Sequence, residues 1–284
     1  MEIINSIADV RKAVSAARQS GKRIGLVPTM GALHAGHISL INRAVADCGY
    51  VVVSIFVNPT QFGPSEDYDK YPRTIDADAD ICSSAGVDVI FAPSVSEMYP
   101  TDNLTWVDVE KITEPLCGAS RPGHFRGVTT VCTKLFNIVC PDASYFGQKD
   151  AQQSIVIKRM VADLNMPLEI IVCPTVRQDD GLALSSRNKY LTQNQRSDAV
   201  LLSKALTQAE KQISRGIRDS AEIRKSMMDT LSGGKLEVEY LSIVNAETLE
   251  DVDEISGKTL IAIAAKVADT RLIDNIFVDM NNNL

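Results

Sequence analysis

The chain has 284 residues, 45% of them hydrophobic and 23% charged, with a formal net charge of −7. That length suits one large domain or two ordinary ones, and the acidic balance argues against a protein that holds nucleic acid mainly through its phosphates. No apolar run approaches a membrane span, and the charges scattered through residues 1–14 argue against a secretory signal.

In chain order, residues 5–20 carry helix-spaced Ile, Val and Ala, 23–28 read as an apolar strand and 37–48 as a helix. Residues 50–57 are a nearly continuous β-branched and aromatic run, as expected of a parallel strand buried on both faces. Helices are predicted over 74–85, 126–139 and 150–164, and strands over 87–91, 143–146 and 168–173. This alternation predicts an α/β fold, a Rossmann-like open parallel sheet covered by helices. Near residue 176 the pattern changes. A polar loop over 177–188 precedes helices at 194–214 and 219–231 and strands at 237–244, 259–267 and 271–278, with a turn at 268–270. The expected domains are therefore 1–175 and a smaller α+β domain with an antiparallel sheet, 176–284, whose last four residues fray. Cys48, Cys82, Cys117, Cys132, Cys140 and Cys173 form no C-x-x-C pair and read as buried thiols in a reducing compartment.

Two of the three histidines lie in one stretch, residues 28–37, between an apolar run and an amphipathic one. Strand, tight turn and helix start is a setting that favours phosphate, through free backbone N–H groups and the helix dipole. Gly31 and Gly36 allow close approach to the backbone, and His34 and His37 share a face. The pair can be read as a helix cap, as two metal ligands or as a phosphate grip. No third metal ligand stands nearby, which favours the grip. A second stretch, 146–150, follows a strand and opens a helix. Lys149 there can neutralise phosphate and Asp150 accept from a ribose, or Asp150 can simply cap the helix. Gln152 and Gln153 follow as uncharged amides suited to a hydroxylated substrate. In 182–188, two serines and Arg187 suit phosphate recognition, or form a polar linker. His124 sits in a Pro-Gly loop as a bystander or a substrate contact. The acids Asp67, Asp69, Asp76, Asp78 and Asp80 read mostly as solvated surface, with one or two able to touch a nucleotide's Mg²⁺. Residues 256–259 mimic the end of a P-loop, but Val252 stands where its first glycine belongs.

Together the stretches PTMGALHAGH (28–37), FVNPTQFG (56–63), YPRT (71–74), RPGHFRGV (121–128), YFGQKDAQQ (145–153) and LSSRN (184–188) resemble the pantoate–β-alanine ligase, or pantothenate synthetase, family. The likeness runs over almost the whole chain. The His-x-Gly-His turn alone indicates only the wider nucleotidyltransferase superfamily. The resemblance implies a cytoplasmic homodimeric enzyme that supplies a coenzyme A precursor. Pantoate and ATP give pantoyl adenylate and pyrophosphate, and β-alanine then displaces AMP. It implies an ATP site of Met30, Gly31, Ala32, Leu33, His34, Ala35, Gly36 and His37, completed by Gly147, Gln148, Lys149, Asp150, Val176, Leu184, Ser185, Ser186 and Arg187. His34, His37, Lys149 and Arg187 form the implied catalytic set, with His37 as proton donor. Gln61 would hold pantoate and β-alanine, Gln153 pantoate, and the C-terminal domain would close over ATP. Where some relatives carry consecutive acids after YPRT, this chain has Asp76-Ala77-Asp78, which leaves the protein ligand to Mg²⁺ unassigned, with Asp78 one possibility. A non-catalytic nucleotide sensor would share the histidine turn but has no use for Gln61 and Gln153.

Overall fold

The computed structural model describes residues 1–64 and 66–280, so the tail expected to fray lies outside the described residues. The elements are β1 (Glu2–Ile4), α1 (Ile7–Gln19), β2 (Ile24–Thr29), α2 (Ala35–Asp47), β3 (Tyr50–Ile55), α3 (Ile75–Ser84), β4 (Val89–Phe91), α4 (Val95–Met98), α5 (Cys117–Ser120), α6 (His124–Val139), β5 (Ala143–Gly147), α7 (Ala151–Asp163) and β6 (Glu169–Cys173). Then come α8 (Gln193–Ser214), α9 (Ser220–Leu231), β7 (Glu237–Asn245), β8 (Lys258–Val267) and β9 (Thr270–Asp279). Single 3-10 turns sit at Pro59–Gln61, Gln148–Asp150 and Ser186–Tyr190. Two compact units result. The first holds Met1–Thr113, Gly118–Gln148 and Gln152–Pro174; the second holds Glu114–Cys117, Lys149–Ala151 and Thr175–Leu284.

The first unit is a six-stranded sheet in the order β1-β4-β3-β2-β5-β6, parallel throughout. Val51, Val52 and Val53 are successive and all buried, so both faces of β3 are covered, as the unbroken apolar run predicts. From β2 the chain steps to β3 and β4 on one side, while β5 and β6 lie on the other. The boundary between β2 and β5 is thus the switch point, where open parallel sheets take ligands at their carboxyl ends. β2 pairs with β3 over its full length but with β5 only at Gly25↔Ala143 and Leu26↔Ser144. Their carboxyl halves therefore part and leave a crevice. β1 is an edge strand of three residues that the sequence pattern does not show.

In the second unit, β7, β8 and β9 form an antiparallel sheet, and the β8–β9 connection turns at Ala268 (φ +50). Helices α8 and α9 pack on this sheet, with Leu202, Leu206, Ile223, Met227, Ile243 and Ile261 in the core. The segment expected as a polar loop, 177–188, is instead a tight antiparallel turn. Leu184 N–H donates to the Val176 carbonyl at 2.9 Å and Gln178 N–H to that of Leu182 at 2.9 Å. Arg177 fixes it by a bidentate pair to Asp274 on β9, at 2.6 and 2.9 Å. Asp274 is 3% exposed and Arg177's side chain 30%. Asp274→Ala is expected to cost about 3 kcal/mol, the low end for breaking a buried pair, because Arg177 keeps some solvent access. Urea unfolding checks this against Arg159→Ala, whose exposed partner Asp163 should make the loss under about 0.5 kcal/mol. Equal losses would show that the Asp274 pair does not hold the turn.

Among the described residues, no helix is long and apolar enough to cross a membrane. None of the six cysteines is in a disulfide among the described residues. Cys82, Cys132 and Cys173 are buried, and desolvation pushes the thiols of Cys82 and Cys132 up to about 12, which leaves them unreactive near neutral pH. Cys140 corrects the expectation of buried thiols: it ends α6 in the left-handed region (φ +47) and is exposed.

Candidate active site

Helix α2 begins at the switch point, and its histidines build the start. His34 is the N-cap, in extended conformation, and its Nδ1 accepts from Gly36 N–H at 3.1 Å. His37 reaches back so that its Nδ1 accepts from His34 N–H at 3.3 Å. The two rings lie 4.2 Å apart, tilted by 36°. An imidazole that accepts at Nδ1 carries its proton at Nε2. Both rings are therefore neutral Nε2–H donors, and protonation at Nδ1 would break the caps.

Backbone donors of the same turn are used within the protein. Gly31 N–H donates to Thr29 Oγ1 (3.2 Å), and Ala32 and Leu33 N–H donate to Asp78 (3.0 and 2.8 Å). The expectation that these amides cradle phosphate is corrected: imidazole Nε2 groups, not the amides of residues 31–34 and 36, are what the turn can present. Asp78 is 1% exposed, with its oxygens held by Ala32, Leu33 and the Thr74 hydroxyl (3.2 Å). As a possible Mg²⁺ ligand it fits poorly, because its carboxylate is buried and already engaged with three donors. No group of three or more His, Cys, Asp or Glu side chains among the described residues is placed to hold a metal ion.

Gln61 closes the 3-10 turn after β3. Its Oε1 accepts from Asn58 Nδ2 at 3.0 Å, and its Nε2 lies 3.4 Å from Met30 Sδ. Asn58 was missed by sequence reasoning, although an Asn before Pro59 is a recognisable turn starter. It is 1% exposed, and its Oδ1 accepts from Thr60 N–H (3.3 Å), Thr60 Oγ1 (3.0 Å) and Tyr99 OH (3.0 Å). Those donors fix which end of Asn58 is the amide nitrogen, which in turn fixes Gln61 with its NH₂ presented as a donor. Gly127 lets α6 approach this turn: a Cβ there would stand 2.3 Å from the Thr60 carbonyl oxygen.

His124 is neither bystander nor isolated. Its Nδ1–H donates to the Gln61 carbonyl at 2.8 Å, and its Nε2 accepts from Arg121 at 2.9 Å. Arg121 is gripped by Glu66 through two bonds of 2.6 and 2.7 Å. Burial works to raise the Glu66 carboxyl, but the hydrogen bonds and charge of Arg121 outweigh it and hold it below its ordinary value near 4.5. Such a group adds stability that is present above pH 4.5 and lost as pH falls through the lower folded value. The stability difference between the protein and Glu66→Gln is expected to stay constant above about pH 4.5 and shrink below it in urea titrations. A difference that grows on acidification would contradict the pairing.

Gly147 ends β5, and a Cβ there meets nothing within 4 Å, so space is open beside it. Gln148, Lys149 and Asp150 form one 3-10 turn. The Lys149 carbonyl accepts from Asn275 Nδ2 at 2.9 Å within the second unit, and its Nζ stands 3.6 Å from Asp150 Oδ1. Gln153 is half-buried on α7. Gln152 is buried, its amide donating to the Ile112 carbonyl at 3.0 Å, so it holds structure rather than facing a substrate. In the second unit the antiparallel turn brings Val176 and Leu184 together, and Ser185 caps the next 3-10 turn by accepting from Arg187 N–H at 3.3 Å. Ser186 and Arg187 lie in that turn.

The first unit is thus a parallel α/β sheet with a His-x-Gly-His helix start at its switch point. A profile described as pantoate-beta-alanine ligase matches residues 2–277. The chain is 57% identical over 281 residues to a pantothenate synthetase of Acetivibrio thermocellus, covering 99% of this chain and all of that one. Among solved structures it is similar to a pantothenate synthetase from Thermus thermophilus (TM-score 0.92, 43% identity, 97% and 99% covered). It is also similar to a Francisella tularensis pantoate-beta-alanine ligase complexed with beta-gamma ATP and beta-alanine (TM-score 0.79, 38% identity, 97% of each chain). The chain belongs to the pantoate–β-alanine ligase family.

Proposed function

We propose that the protein joins pantoate to β-alanine at the expense of ATP, forming pantothenate, AMP and pyrophosphate through pantoyl adenylate. The observation that carries this reading is the pair of neutral imidazole donors at the switch point of a chain matched end to end by ligases of this family. In the first step a pantoate carboxylate oxygen bonds the α-phosphorus and the bond to pyrophosphate breaks. In the second, the β-alanine amine bonds the acyl carbon, AMP leaves and the amine sheds a proton. Two anions meet in the first step and a third departs, so alignment and charge stabilisation dominate. His34 and His37 supply Nε2–H donors to the phosphates, with His37 donating as charge grows on the leaving oxygen. Lys149 and Arg187 supply fixed positive charge. Gly147, Gln148, Asp150, Val176, Leu184, Ser185 and Ser186 complete the nucleotide contacts, and Gln61 and Gln153 bind pantoate by amide hydrogen bonds. Mg²⁺ accompanies ATP in this reading and is assigned no protein ligand. A cytoplasmic homodimer, with the two expected domains 1–175 and 176–284, is part of the same proposal.

Gln61→Ala is expected to lower kcat/KM for pantoate by about 10–100-fold, the loss of one or two hydrogen bonds to a charged substrate, with KM for ATP little changed. Pantoate titration at saturating ATP measures it, and an unchanged pantoate kcat/KM would remove Gln61 from the site. The function itself is tested by an assay with each substrate withheld in turn. AMP must require pantoate, ATP and β-alanine together, and ADP as product would refute the reading.

A further inference from the structure

Gly31 (φ +83) and Ala32 (φ +52) are successive residues in the left-handed region. Such a bend turns neighbouring N–H groups to one side and makes a concave seat for an anion. Here the anion is internal. Asp78 Oδ2 accepts from Ala32 N–H at 3.0 Å and Oδ1 from Leu33 N–H at 2.8 Å, while Thr74 Oγ1 donates to Oδ2 at 3.2 Å. A Cβ on Gly31 would stand 3.0 Å from that same Oδ2, so the carboxylate is pressed against the bend. An alanine does not hold left-handed backbone unaided. Asp76 is exposed and Asp80 likewise on the same helix, whereas Asp78 is 1% exposed.

We propose that Asp78 is a positioning residue for the histidine pair. Its charge locks residues 31–33 in the double left-handed bend, and that bend sets where His34 caps α2 and where both Nε2–H groups point. The proposal rests on the reading of His34 and His37 as ATP contacts, but its first test needs no nucleotide. The chain has only three histidines, so histidine-labelled protein gives three imidazole signals. In Asp78→Asn, one backbone N–H faces an amide nitrogen instead of an oxygen. Without ATP or Mg²⁺, the signals of His34 and His37 should shift or broaden while that of His124 stays. Thr74→Val, which removes only the hydroxyl from Oδ2, should move the same two signals in the same direction by less, and serves if Asp78→Asn does not fold. In steady state, Asp78→Asn should lose about 10²-fold in kcat/KM for ATP, the scale of a misplaced contact, with half-saturating Mg²⁺ within about twofold of the parent. Unmoved His34 and His37 signals in folded Asp78→Asn, or in Thr74→Val where Asp78→Asn does not fold, would overturn the proposal. So would a rise of about tenfold in half-saturating Mg²⁺ with activity restored at high Mg²⁺, the mark of a metal ligand. A parent protein without ATP dependence would instead refute the ATP reading, leaving the imidazole signals to decide the role of Asp78.

Discussion

Replacing His37 with alanine is expected to lower kcat by about 10²–10³-fold, the usual scale for one donor to a transition-state charge. The same substitution removes the acceptor that caps His34 N–H, so about 1 kcal/mol of stability should go with it. The two effects separate in His37→Asn, whose Oδ1 can stand where Nδ1 stood but which has nothing in place of Nε2–H. That variant is expected to unfold at the parent's denaturant midpoint and still lose kcat as the alanine variant does. Near-parental kcat in His37→Asn would mean that the imidazole acts only as a cap. His34→Asn should behave in the same way, since its Nδ1 makes the matching bond to Gly36 N–H.

Lys149→Ala is expected to cost about 10²–10³-fold in kcat as well, with little effect on folding. The backbone of residue 149 is held independently of its side chain, by Asn275 Nδ2 on the carbonyl. The ion pair of Nζ to Asp150, at 3.6 Å with Asp150's side chain 48% exposed, contributes little stability. Pantoate-dependent ATP–pyrophosphate exchange isolates the adenylation half-reaction. It should fall in parallel with the overall rate, and exchange at the parental rate would place Lys149 outside the chemistry.

The sheet was legible because buried parallel strands write themselves as unbroken apolar runs, as in residues 51–53, and because helices at 3.6 spacing separate them. β1 was not, since Glu2, Ile3 and Ile4 make an edge strand with only Ile4 buried. The turn through residues 176–184 looked like a polar linker because what fixes it, Asp274, lies 97 positions from Arg177 in the sequence. Positions 34 and 37 were legible as neighbours on one helix start from type and spacing, but not that both Nδ1 atoms are spent on backbone amides. Asp78 was hidden among Asp76 and Asp80, which look alike in sequence and differ only in facing solvent. Its spacing from buried Cys82, one helical turn on, is the one local signal that it faces inward. His124 gave no signal, because its partner Gln61 meets it only when α6 packs on the turn after β3.

The most direct test of the central claim follows the oxygen of the substrate acid. Pantoate labelled with ¹⁸O in its carboxylate, turned over with ATP and β-alanine, should deliver one labelled oxygen to the phosphate of AMP and none to pyrophosphate. Label appearing in inorganic phosphate, or AMP formed without label, would contradict capture of the α-phosphorus by the pantoate carboxylate.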